Sequence, residues 1–180
     1  QAAPEPTSKP TADEDPLLAL PKGPVVAVLP FENLSRDPDQ EYFSDGLTDD
    51  IITALSRFKD LFVIARNSTF RYKGQAVDVR QLHKELGARY VLEGSVQRAE
   101  ARLRVTAQLL DAKDGTHLWA ENYDRELSAS NIFAVQDELT EQVVGMIAGT
   151  WGVISRSRFA EVKDKPTESL EAYECVLRAA

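Results

Sequence analysis

The sequence predicts an α/β chain of the two-layer α+β kind: a small mixed five-stranded sheet packed by two to three helices, in the order β-α-β-α-β-β-β-α. Three observations carry that expectation. Residues 25–31 form an apolar run interrupted only by Pro30, the pattern of a strand buried on both faces. Residues 102–109 alternate strictly, with Leu103, Val105, Ala107 and Leu109 set against Arg102, Arg104, Thr106 and Gln108, as a half-buried strand does. Leu47, Ile51, Leu55 and Phe58, and later Ile132, Val135, Leu139, Val143 and Met146, recur at helical spacing.

The chain opens with residues 1–23, which hold Pro4, Pro6, Pro10, Pro16 and Pro21 among scattered charges. Such a stretch buries too little apolar surface to offset its ordering, so a flexible linker is expected, with residues 16–20 as its apolar patch. Pro30 has no N–H to offer a ladder and is expected to end the first strand's pairing. An acidic loop follows, and Ser44 or Asp45 is the expected N-cap of the first helix. Asp49 and Asp50 then fall in its first turns, where acids suit the positive dipole end.

Residues 61–65 read as a second strand and residues 66–75 as a polar, aromatic loop. Asp78 is placed to cap a second helix, with Gln81 completing a variant capping box and Gly87 supplying a left-handed stop. Residues 90–98 form the third strand and turn through residues 99–101 into the alternating strand, as a hairpin. Gly94, inside a strand, marks a bulge or a close backbone approach. After a turn at residues 111–115, the fifth strand spans residues 117–123, with Trp119 and Tyr123 on one face as core. The third helix spans residues 132–147 and should end near Gly149, where glycines accumulate. Pro166 suits the first turn of a further helix bearing Leu170, Tyr173 and Leu177. The expected divisions are therefore 1–23 linker, 24–150 domain, 151–165 connecting segment and 166–180 a separate helix.

Composition narrows the function. Net charge is −8, from 21 Lys and Arg against 29 Asp and Glu. Much of it lies in residues 32–50, where Glu32, Asp37, Asp39, Glu41, Asp45, Asp49 and Asp50 face a single Arg36. That balance argues against nucleic acid and against an anionic membrane surface, both of which select basic patches. The single Cys175 rules out an intrachain disulfide and a multi-cysteine zinc site. No run reaches the ~18 apolar residues of a spanning helix, so no direct membrane insertion is expected. The chain does not begin with Met, and a piece of a longer protein is expected, with its targeting information outside.

Chemistry is harder to find. Asp37, Asp39 and Glu41 have calcium-loop spacing, but Tyr42 stands where glycine is needed and Thr48 where a bidentate glutamate belongs. His83 and His117 have no second ligand nearby in sequence, and no phosphate-cradling glycine motif occurs. No catalytic residue, metal site or cofactor is expected. The better candidate is a surface. Arg66, Asn67, Phe70, Arg71 and Tyr72 share one loop, in a mixture common at recognition sites. Asn33, Asp37, Asp39, Glu41 and Asp45 leave the C-terminal end of the first strand, the edge where open α/β layers take ligands. The two loops are expected to face one cleft.

Five blocks also carry a resemblance: AVLPFENLSRDPDQEYFSDGLTDDIITALSRF (27–58), FVIARNSTFRYKG (62–74), ELGARYVLEGSVQR (85–98), DGTHLWAENYDREL (114–127) and IFAVQDELTEQVV (132–144). In this order the chain resembles the TolB-like domain of bacterial signalling proteins over residues 24–148. The resemblance implies the two-layer plan of the TolB N-terminal domain. It also implies an output module in the same protein, a class III adenylate or guanylate cyclase or a winged-helix regulator, and a following tetratricopeptide array that residues 166–180 would begin. The cyclase metal-binding aspartate motif is missing here. The expected function is therefore a non-catalytic sensor or interaction domain whose cyclase lies outside this stretch. Its expected partners are that output domain and a protein or small-molecule ligand of unknown identity, with homodimerisation left open. The resemblance places it at the periplasmic face of the inner membrane within a larger membrane protein, with the cytoplasm as alternative. The rivals are an envelope scaffold like TolB or the lipoprotein activators of cell-wall synthases, and an enzyme concealed in the cleft.

Overall fold

Val26, Ala27 and Val28 are fully buried in the computed structural model, which describes residues 23–35, 37–149 and 152–163. They belong to β1 (Val25–Val28), flanked in parallel by β3 (Phe62–Val63) and β4 (Tyr90–Ala99). From β4 the sheet continues antiparallel through β5 (Arg102–Asp111) to β6 (Thr116–Glu126). The mixed sheet thus runs β3-β1-β4-β5-β6. Pro30 interrupts pairing but does not end it. β2 (Glu32–Asn33) rejoins β4 opposite Ser95 and Val96, adding a sixth strand to the five expected.

Successive strand residues point to opposite faces, so the buried β1 must be covered twice. Val26, Val28, Leu92, Val105 and Leu109 pack with α1 (Gln40–Leu55), α4 (Ile132–Ala148) and α5 (Val153–Lys163). Ala27, Val91 and Leu110 pack with Val79 and Leu82 of α3 (Val79–Leu86) on the other side. One expected helix therefore crosses to the opposite face. Trp119 and Tyr123 both belong to the larger cluster, as their shared face requires.

Several boundaries move. α1 begins at Gln40, so Ser44 and Asp45 lie inside it and neither is the N-cap. A turn closed by Gln40 N–H to the Asp37 carbonyl (3.2 Å) and by Asp39 N–H to Asp37 Oδ1 (2.9 Å) starts the helix early. Asp49 and Asp50 then stand well beyond the first turn, where a dipole effect no longer reaches. Part of the loop expected over residues 66–75 winds into α2 (Arg66–Phe70), around a buried Thr69 whose hydroxyl donates to the Arg66 carbonyl at 3.0 Å. Asp78 caps α3, accepting Arg80 N–H at 2.9 Å, and Gly87 takes φ 67° at its end. Gln81 does not close the capping box, because its amide bonds Glu85 Oε1 at 2.6 Å. The hairpin turn is only Glu100 and Ala101, with Glu100 at φ 55°.

α4 ends at Ala148 before Gly149, near the expected position. Ile147, four residues after Val143, takes the core position, while Met146 is 40% exposed. The expected connecting segment instead contains α5, which buries Val153, Ile154 and Val162. An ionic cluster ties α5 to the sheet: Arg89 bonds both oxygens of Asp111, at 3.0 and 2.8 Å, and also Glu161. Residues 1–22 of the expected 1–23 linker and the helix expected from Pro166 lie outside the described residues. No helix among the described residues is long and apolar enough to cross a membrane.

Candidate functional site

Where β1 gives way to β2, the chain steps out of the sheet and drops Phe31 onto β4. Gly94 permits this. A Cβ there would stand 2.6 Å from the Phe31 ring and 2.3 Å from the Thr106 carbonyl oxygen. Gly94 therefore marks the close approach that a glycine inside a strand suggested. Phe31 is also held from behind, its N–H donating to the buried Thr48 hydroxyl at 3.0 Å.

The step opens a cleft of about 720 Å³. One wall is residues 29–34 and the other residues 72–76, over Glu93, Ser95, Thr106 and Gln108 of the sheet. Only part of each expected loop reaches this cleft. Among the candidate residues, Asn33, Glu41 and Tyr72 line it.

The remaining candidates are placed around it or spent elsewhere. Asp45 stands behind the cleft, bonded to Lys73 Nζ at 2.6 and 2.7 Å. Asp37 serves the turn before α1, where it also takes the Asn33 amide on its carbonyl at 3.1 Å, and Asp39 takes the N-cap position without a side-chain bond. Arg66 pairs with Asp49 at 2.6 Å and covers the Phe70 ring at 3.7 Å. Asn67 is exposed on α2. Arg71 contacts Tyr72 and Glu85, and the Tyr72 hydroxyl donates to Glu85 at 2.5 Å, which anchors this loop to α3.

Lys73 is not one of the expected site residues, yet it ties the 72–76 wall to α1. Its ammonium lies 2.5 Å from Glu41 and 2.6 Å from Asp45, so one cation clasps two helical carboxylates. Hydrogen bonding from Lys73 holds Glu41 below its ordinary pKa of 4.5 despite partial burial. Burial works against the charge on Lys73, but Asp45 and Glu41 outweigh it and raise the amine above 10.5. The signs follow by linkage. Stability from Glu41 is present above its ordinary value and is lost as pH falls through its lowered one; stability from Lys73 is lost only as pH rises through its raised value. Amide resonances of residues 72–76 are therefore expected to hold steady through neutral pH and to move together with Glu41 titration below pH 4.5. A loop that stays still while Glu41 protonates would show that the clasp does not hold it.

The cleft floor is polar. Gln108 donates to Glu93 at 2.6 Å, and Thr106 bonds Asn122 at 2.8 Å. Residues 102–109 announced Thr106 and Gln108 as outward-facing, but nothing local in sequence assigned them to a cleft. Neither histidine lines it: His83 Nδ1 lies 2.9 Å from the Ala88 carbonyl, and His117 is exposed on β6. Among the described residues no group of three or more His, Cys, Asp or Glu is arranged to hold a metal ion. The arrangement offers hydrogen-bonding amides and hydroxyls, carboxylates and one clasped ammonium.

Comparison with known proteins gives three kinds of likeness. The family described as "HilA/YgeH-like transcriptional regulator, second domain" matches residues 22–142. A protein of Rhizobium meliloti (strain 1021) named "Putative adenylate cyclase 3" is 56% identical over 138 residues, covering 77% of this chain and 23% of that protein. The chain thus spans less than a quarter of that relative. Among solved structures, lipoprotein GNA1162 of Neisseria meningitidis shares the fold, with TM-score 0.51 and 23% identity, covering 71% of this chain and 98% of that one. TolB of Acinetobacter baumannii aligns at TM-score 0.47 and 20% identity over 69% of this chain and 28% of its own.

Proposed function

Because this chain belongs to the family of HilA/YgeH-like transcriptional regulator second domains, we propose that it is a non-catalytic sensor or interaction module that governs an output domain elsewhere in its protein. The observation that carries this reading is the pairing of two contexts. One fold stands in a family described by transcriptional regulation and in a 56% identical relative named for cyclase activity, of which it fills only 23%. A unit that accompanies different outputs is better suited to control than to either chemistry. In this reading the output is a class III adenylate cyclase, and its catalytic domain lies in the length of the relative that this chain does not cover.

The cleft between residues 29–34 and 72–76 is the input. A ligand or partner seated there competes with or reinforces the Lys73 clasp, shifting the relation of the 72–76 loop to α1. Only an occupant that binds one clasp state better than the other can move that balance.

The test compares the purified chain and the full-length cyclase under the same assay. The chain alone is expected to form no cyclic AMP from ATP with Mg²⁺ or Mn²⁺. In the full-length protein, Lys73→Glu is expected to change the cyclase rate by about fivefold or more, the range of ordinary allosteric coupling. Turnover by the chain itself, abolished by cleft substitutions, would make it an enzyme; an unchanged full-length rate would remove the cleft from regulation. The proposed periplasmic location has its own check in the same protein. Alkaline phosphatase fused beyond α5, after residue 180, is expected to be active, and an active cytoplasmic reporter at that position would move the module indoors.

A further inference from the structure

A second concavity lies on the opposite side of the sheet from α3, between α1 and α4. The helices touch where Gln136 crosses Gly46: the Gln136 amide donates to the Phe43 carbonyl at 3.2 Å, and a Cβ on Gly46 would stand 2.6 Å from its nitrogen. Toward the C-terminal side of that crossing, the two helices line a groove of about 590 Å³. Its apolar lining comes from Ala54, Phe58 and Val144, and nothing lies within 4 Å of a Cβ on Gly145.

The rim is acidic. Asp50, Asp137 and Glu141 line it against one base, Arg57. Asp50 has its carboxyl raised by burial and then by the neighbouring charges of Asp137 and Asp49. Folding therefore places negative charges close together and leaves them under-compensated. Thr140 lines the same groove, is only 7% exposed, and its hydroxyl has no hydrogen-bond partner. A buried orphan hydroxyl costs free energy until something bonds it. The carboxylates are not gathered tightly enough to hold a metal ion.

Two exposed aromatics stand on the same two helices. Phe133, Asp137, Glu141 and Gly145 follow at intervals of four along α4 and so share a stripe. Phe133 is 77% exposed, and Tyr42 on α1 is 86% exposed. Both precede the Gln136–Gly46 crossing and lie outside the groove's lining.

We propose that the α1–α4 groove docks a lysine- or arginine-bearing helical segment of a partner protein. Its aliphatic stems lie on Ala54, Phe58 and Val144. Its cationic heads meet Asp50 and Asp137 and donate to the Thr140 hydroxyl. This surface is distinct from the cleft, with which it shares no lining residue.

The probe is a synthetic amphipathic helix with lysines at i, i+4 and i+8, titrated into the isotope-labelled 180-residue chain at physiological ionic strength. Amide shifts are expected to concentrate on residues 50–58 and 133–145. Asp50→Asn with Asp137→Asn is expected to weaken binding about tenfold, a usual loss for paired interfacial charges. Removing equal charge at distant turns, by Glu100→Gln with Asp114→Asn, is expected to change it no more than about twofold, as for screened surface charges. Both double variants should fold, since the first relieves repulsion and the second touches exposed turns. Thr140→Val leaves charge unaltered and is expected to weaken binding about threefold through loss of one hydrogen bond. Equal weakening by the two double variants, or shifts centred elsewhere, would overturn the proposal. So would spermidine producing the same shifts at the same concentration, which would assign the groove to a small amine.

Discussion

Phe31→Ala is expected to lower folding stability by about 3–5 kcal/mol, the cost of removing a buried aromatic ring. The ring is 1% exposed and joins the cluster formed by β1, β4, β5, α1 and α4. Its position cannot collapse easily, because the Thr48 hydroxyl fixes the Phe31 N–H and Gly94 leaves a recess on the other side. Urea denaturation of wild type, Phe31→Ala and Phe31→Leu reads the effect; the leucine variant should retain most of the stability, losing no more than about 1.5 kcal/mol. A loss near zero for alanine would show that residues 29–31 repack without their ring. The same substitution enlarges the cleft, since Phe31 is one of its lining residues.

Gly94→Ala is expected to cost about 3 kcal/mol, at the upper end for an inserted methyl group. Two contacts make it severe. The Phe31 ring, 2.6 Å from the new Cβ, could rotate or shift; the Thr106 carbonyl, at 2.3 Å, belongs to the β4–β5 ladder and could not. Combining Gly94→Ala with Phe31→Ala removes one of the clashes. The double variant is therefore expected to fall short of the summed losses by about 1 kcal/mol or more, as neighbours in contact do. Strict additivity would place all the strain on the backbone of β5.

These two residues also show what could be read from the sequence. The valine-rich run identified β1, strict alternation identified β5, and the spacing of Leu47, Ile51 and Leu55 identified α1, because burial imposes periods that the chain must display. Gly94 could be recognised as special for the same reason. The N-terminus of α1 was not legible, since its first turn is closed by backbone and Asx bonds around Asp37 and Asp39, with no side-chain cap. α5 was missed because its apolar residues are few and its charged partners, Arg89 and Glu161, lie far apart in sequence. The cleft was half visible. Loops leaving β1 and β3 were expected to meet, but the Lys73 clasp depends on a tertiary approach that no local pattern encodes. Asp50 sits at the α1–α4 groove and not at a helix start because α1 begins at Gln40, a boundary that no side-chain cap marks in the sequence.

The parallel pairing of β1 has a consequence for the chain's synthesis. β4, β5 and β6 join through short turns and can pair as soon as they leave the ribosome, with hairpins closing in ~1–10 μs. β1 emerges earlier, yet its neighbours β3 and β4 are made later. At ~5–20 residues per second of translation, Val25–Val28 waits on the order of several seconds before β4 is made. Until then this buried strand has at most the short β3 beside it, which leaves its apolar residues open to misassociation in the nascent chain.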